Sequence, residues 1–136
     1  MPLLAFYLSF VFTITLFERI PTTVPTYQLD LFWSYKAIAA GRTNLIAEVI
    51  DNVILFIPIG ILIMFIVVRK FRWLGITIGI LLSVFIEVSQ LIFHRGLFEF
   101  DDIIHNSLGM LIGVGIFLLA SWIGKRIRDK QQLRSE

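Results

Sequence analysis

WLGITIGILLSVFIEVSQLIF, residues 73–93, is an apolar run interrupted inside by Glu87 and Gln90, and its reading decides the fold. A bilayer core about 30 Å thick needs about 20 apolar residues per helix, so this run is long enough to cross. Working outward, three further runs qualify: residues 1–18, 50–68 and 103–123. Pro58 falls inside the second run and should kink that helix unless neighbours satisfy the carbonyl it frees. The composition agrees, with 57% apolar and 16% charged residues. Soluble domains carry about 45–50% and about 25%. This excess excludes a disordered chain, a collagenous chain and a nucleic-acid-binding arm, and it leaves too little polar surface for an ordinary soluble domain. There is no cysteine, which excludes disulfides, thiolate metal sites and thiol nucleophiles. The expectation is an all-α polytopic membrane protein, a single domain over 1–136 folded as a compact bundle of four transmembrane helices.

The first run is short, but it lacks the preceding basic residue and the following small-x-small site of a signal peptide, so a retained helix is expected. Basic residues in short loops orient the chain. Arg69, Lys70 and Arg72 separate the second and third runs, and Lys125, Arg126, Arg128, Lys130 and Arg134 lie in the tail 124–136. The other two loops hold Arg19, Lys36, Arg42 and Arg95. Eight against four predicts that both termini are cytoplasmic, with the tail a solvated topology anchor. The long first loop then faces outward, and Pro21, Pro25, Trp33 and Tyr35 suggest that it is structured at the interface. Asn44 is a candidate N-cap for a second helix that begins before Asn52.

Ionisable groups inside a span cost at least about 2.5–3.5 kcal/mol at mid-helix and mark function by default. Helical spacing puts Gly75, Gly79, Ser83, Glu87, Gln90 and His94 on one face of the third run. The fourth run carries a matching stripe of Asp102, Asn106, Gly109 and Gly113. The small residues Gly75, Gly79, Ser83, Gly109 and Gly113 should let these two helices approach closely. Their polar ends, together with Glu48, Asn52 and Arg95, should form one inward-facing cluster near the outer boundary. A purely structural role, with the amides as interhelical glue, explains one or two such residues better than seven. Interhelical hydrogen bonds average only about 0.6 kcal/mol. His94 and His105 read as incidental, Glu99 and Asp101 as solvated loop residues, and no zinc-ligand spacing is present.

Asn52-x-x-x-Phe56-x-Pro58-x-Gly60 is similar to the N-x-x-x-F-x-P-x-G signature of the VanZ-like family. Glu87, Gln90, Arg95, Asp102, Asn106, Gly109 and Gly113 resemble that family's second signature in order and spacing. The stretch LFWSYKAI also looks like its aromatic segment, although Leu29-Asp30-Leu31-Phe32-Trp33 replaces the usual N-L-x-P-F form. The resemblance implies a bacterial plasma-membrane protein of a family whose best-known member is linked to low-level teicoplanin resistance. It implies no settled biochemical activity.

The residues support two classes of function. In the first, Asn52, Glu87, Gln90, Arg95, Asp102 and Asn106 line an outward-facing cavity. It would bind a membrane lipid head group, a cell-wall precursor lipid or a lipoglycopeptide antibiotic, with Arg95 on phosphate or carboxylate. In the second, a membrane enzyme works on a lipid-linked substrate, with Glu87 as general acid or base and Asp102 orienting a nucleophile or a divalent cation. No nucleophile arrangement is recognisable, so binding is the leading expectation. Neither a cofactor, a resident metal nor a nucleic-acid partner is expected.

Overall fold

A computed structural model describes residues 2–67 and 69–135. The apolar runs form helices whose ends follow the local sequence. α1 spans Pro2–Phe12 and continues as a π-helical turn over Thr13–Phe17. This continuous Pro2–Phe17 stretch is shorter than the other apolar helices. After it come a short strand β1 (Thr26–Gln28), a short helix α2 (Trp33–Ala39) and α3 (Asn44–Ile66). A 3-10 turn over Arg69–Phe71 then leads into α4 (Arg72–Phe93). A second strand β2 (Leu97–Glu99) precedes α5 (Phe100–Ser135).

Three helices, α3, α4 and α5, are long and apolar enough to cross a membrane. Within their apolar windows only 28%, 33% and 22% is buried inside the molecule. The remainder faces outward, an arrangement that water would penalise and lipid would not. α3 begins before Asn52, as expected. Asn44, however, is its first helical residue, following Thr43 at the cap position with no side-chain capping bond. Pro58 lies within α3 without ending it. It offers no N–H to the Ile54 carbonyl, and the Tyr7 hydroxyl donates to the adjacent Leu55 carbonyl at 3.0 Å.

The core consists of Val11 from α1, Phe56, Ile59, Ile63 and Met64 from α3, Ile86 from α4, and Met110 and Val114 from α5. Its most extensive interface joins α3 to α5. The small residues explain that interface, and they correct the expected pairing. A methyl group on Gly109 would strike the Val53 carbonyl, and one on Gly113 would strike the Ile57 carbonyl. Gly60 answers from α3, packed on the Met110 carbonyl. The Gly109–Gly113 stripe therefore seats α5 on α3 rather than on α4. Gly75 likewise faces Ile63 and Met64 of α3. Contact between α4 and α5 rests on Gly79 against the Met110 side chain and on Ser83, whose hydroxyl accepts from Asn106 Nδ2 at 3.0 Å.

One end of the bundle is covered by the segments between helices. β1 and β2 pair in parallel, with Thr26, Tyr27 and Gln28 opposite Leu97, Phe98 and Glu99. The Thr22 N–H donates to the His94 carbonyl at 2.8 Å, and Thr26 Oγ1 to the Gly96 carbonyl at 2.8 Å. His94 ends α4 in the left-handed region at φ 53°, and Gly96 follows at φ 98°. This tight reversal brings the α4–α5 connection under the first loop. The loop is thus structured, as its aromatic residues suggested.

Candidate functional site

Beneath this cover lies a cavity of about 540 Å³. Its apolar wall comes from Tyr7, Phe10 and Ile14 of the first helix with Ile54 and Leu55 of α3. Its polar wall holds Arg19, Glu48, Asp51, Asn52, Glu99 and Asp102. A helical turn separates Glu48 from Asn52, so α3 presents both on one face. Asp102 stands in the first turn of α5, where the helix dipole favours an acid.

Of the residues singled out in the sequence, Asn52 and Asp102 line the cavity. Glu87 is almost fully buried behind this wall, 2% exposed, and its Oε2 accepts the Glu99 N–H at 3.1 Å. Asp102, Glu99 and Arg19 are its charged neighbours. Gln90 is also buried. Its Nε2 donates to the Thr15 carbonyl at 3.0 Å, and Thr15 belongs to the cavity wall. Asn106 lies one turn into α5 from Asp102, bound to Ser83. Gln90 Oε1 and Asn106 Oδ1 are both buried without a hydrogen-bond partner.

Arg95 is placed differently from its expected role. It does not line the cavity, and its Nη1 donates to the Phe17 carbonyl at 3.1 Å and the Arg19 carbonyl at 3.5 Å. Its own backbone bridges to Pro21. The guanidinium on the cavity wall belongs to Arg19, and Arg95 braces the chain that delivers it. The physical reason is the open end of the first helix, whose last carbonyls lack helical donors and attract a nearby cation.

Three polar residues read as solvated or incidental are in fact buried. Asp101 is fully enclosed, and its carboxylate accepts from the Phe32 N–H, the Ser34 N–H and the Ser34 hydroxyl. His105 is 1% exposed, with Nε2 3.0 Å from the Tyr35 hydroxyl and Nδ1 3.8 Å from Asp102 Oδ1. Glu99 accepts from Trp33 Nε1 at 3.0 Å. Burial, and next the Asp102 carboxylate, push Glu99 up to about 7, with the Trp33 N–H pulling partly back.

Apolar helices of spanning length around a cavity with one polar and one apolar wall fit a polytopic membrane protein. The chain matches the VanZ/LLP1 family model over residues 3–121 and belongs to that family. It is 33% identical over 78 residues to "Protein VanZ" of Enterococcus faecium, an alignment covering 54% of this chain and 46% of that protein. The chain therefore matches a little under half the length of this relative. No solved structure matches it.

Proposed function

We propose that the cavity binds the polar head of an amphipathic membrane molecule whose acyl chain lies along the apolar wall. The observation that carries this reading is the two-sided lining: Tyr7, Phe10, Ile14, Ile54 and Leu55 face the carboxylates, Asn52 and Arg19 across one space. A water-soluble ligand gains little from such an apolar wall, and a lipid tail gains little from such a polar one. In this reading the first helix is a fourth span, both termini are cytoplasmic, and the covered end faces outward. VanZ kinship adds a link to teicoplanin resistance, with a lipoglycopeptide or a cell-wall precursor lipid among the amphiphiles that fit. A catalytic reading would use Glu87, held at Oε2 by the Glu99 N–H, as general acid or base beside Asp102.

Mass spectrometry of lipids retained by the gently solubilised protein tests the binding reading. A lipid class retained by the wild type and lost in Leu55→Trp, which fills the cavity, is the expected result. Identical lipid profiles in the two proteins would refute it. Conversion of the retained lipid by the wild type but not by Glu87→Gln would replace binding with catalysis. For topology, Asp30→Cys should be labelled from outside intact cells and Gln131→Cys should not.

A further inference from the structure

The charge on the polar wall points to the chemistry of the head group. Glu48, Asp51, Glu99 and Asp102 face the single guanidinium of Arg19. With a proton on Glu99, three carboxylates still oppose one cation. A wholly anionic head group would thus enter a space of its own sign, walled on one side by hydrocarbon that does little to screen it.

Hydrogen-bonding capacity points the same way, independently of charge. A buried carboxamide oxygen behind this wall is left unpartnered: Gln90 Oε1, whose Nε2 holds the Thr15 carbonyl of the lining. Buried acceptors need donors. A protonated amine brings three N–H donors and a positive charge. Size argues against a bare cation, since among the described residues no three His, Asp or Glu side chains gather into a metal-holding group. The acids are spread along a wall, and Arg19 remains free to meet a phosphate or hydroxyl of the same head group.

We infer that the cavity selects amphiphiles whose head group carries a protonated amine. This rests on the binding reading above and adds the chemical class of its ligand. Two sources share that chemistry, an aminophospholipid and an amine-bearing glycolipid.

The test offers the purified full chain an equimolar mixture of lipids with identical acyl chains and reads the bound species by native mass spectrometry. The mixture holds phosphatidylethanolamine, a glucosaminyl diacylglycerol, the N-acetylated form of each, and phosphatidylglycerol. At least tenfold preference for one free amine over its N-acetylated form is expected, and the arm that wins identifies the source. The Glu48→Gln/Asp51→Asn variant, altered at two exposed positions, should reduce that preference to less than threefold. Equal retention of free and acetylated amines, or preference for phosphatidylglycerol, overturns the inference. If that retention still disappears in Leu55→Trp, the cavity reading survives. Retention of every lipid unchanged in Leu55→Trp overturns both.

Discussion

Asp101, at the second position of α5, caps a helix to which it does not belong: its Oδ2 accepts the Ser34 N–H at 2.9 Å and the Ser34 hydroxyl at 2.6 Å. Its Oδ1 takes the Phe32 N–H at 2.6 Å. Phe32 sits at φ 60°, a left-handed conformation that costs a non-glycine residue about 1–2 kcal/mol. Hydrogen bonds to a charged group contribute about 1.5–3 kcal/mol each, enough to hold that turn.

Asp101→Asn keeps the shape but replaces one accepting oxygen with a donor. It should destabilise the protein by about 1–3 kcal/mol. Thermal unfolding in detergent, followed by tryptophan fluorescence, checks this, because Trp33 lies at the start of the capped helix. An unchanged Tm would show that the cap contributes nothing.

The glycines of α5 give an internal control. Gly109 is pressed against the Val53 carbonyl, whereas Gly115 has open space where a side chain would stand. Gly109→Ala must push α5 off α3 and should lower folding yield and Tm. Gly115→Ala should leave both unchanged or raise stability by up to about 1 kcal/mol through helix propensity. Equal behaviour of the two variants would remove the close-approach account.

Arg95 and Arg19 should separate in their effects. Arg95→Ala releases the Phe17 and Arg19 carbonyls and should cost about 1–2 kcal/mol of stability as well as lipid retention. Arg95→Lys should recover part of both. Arg19→Ala should leave Tm nearly unchanged while weakening retention of phosphate-bearing lipids. Loss of retention in Arg95→Ala at unchanged Tm would mean that Arg95 meets the ligand itself.

Glu99 makes stability and binding respond to pH in opposite directions. Its value of about 7 in the fold lies above the ordinary 4.5, so between these limits the folded state holds a proton that the unfolded state has lost. The stability it contributes is complete below about 4.5, declines as pH rises through about 7, and is flat above that. Tm should therefore fall from pH 5 to 8 more in the wild type than in Glu99→Gln. Amine-lipid binding should strengthen over the same range, as Glu99 gains its charge. Parallel Tm profiles in the two proteins would contradict this.

Long-range pairing separates what was legible in the sequence from what was not. Uninterrupted apolar length marked α3, α4 and α5, and helical spacing marked the small-residue faces, because both depend only on neighbours along the chain. The partner of a face does not: Gly109 and Gly113 read as an α4 contact until Val53, Ile57 and Gly60 appeared opposite them. Glu99, Asp101 and His105 read as solvated or incidental because their burial depends on Thr26–Gln28 folding back onto Leu97–Glu99, a pairing about 70 positions apart. The exchange of roles between Arg19 and Arg95 has a similar origin. Arg19 lies among the acids, and the uncapped end of the first helix takes up Arg95 as a brace.

The seam between the first helix and α3 has a mechanical consequence. Besides the main cavity, a second space of about 300 Å³ opens farther along it, lined by Leu3, Phe6, Tyr7, Pro58, Ile61 and Leu62. Tyr7 borders both spaces, and among the described residues its bond to Leu55 is the one hydrogen bond crossing the seam. The opposite end of this helix is tied down through Arg95, Thr22 and the strand pair. Across the seam the first helix is thus held by one phenolic hydrogen bond and otherwise by the apolar packing of Val11 and its neighbours on the core. A guest entering the seam would have to break that bond and also part Val11, Leu4, Leu8 and Phe12 from the core they pack on.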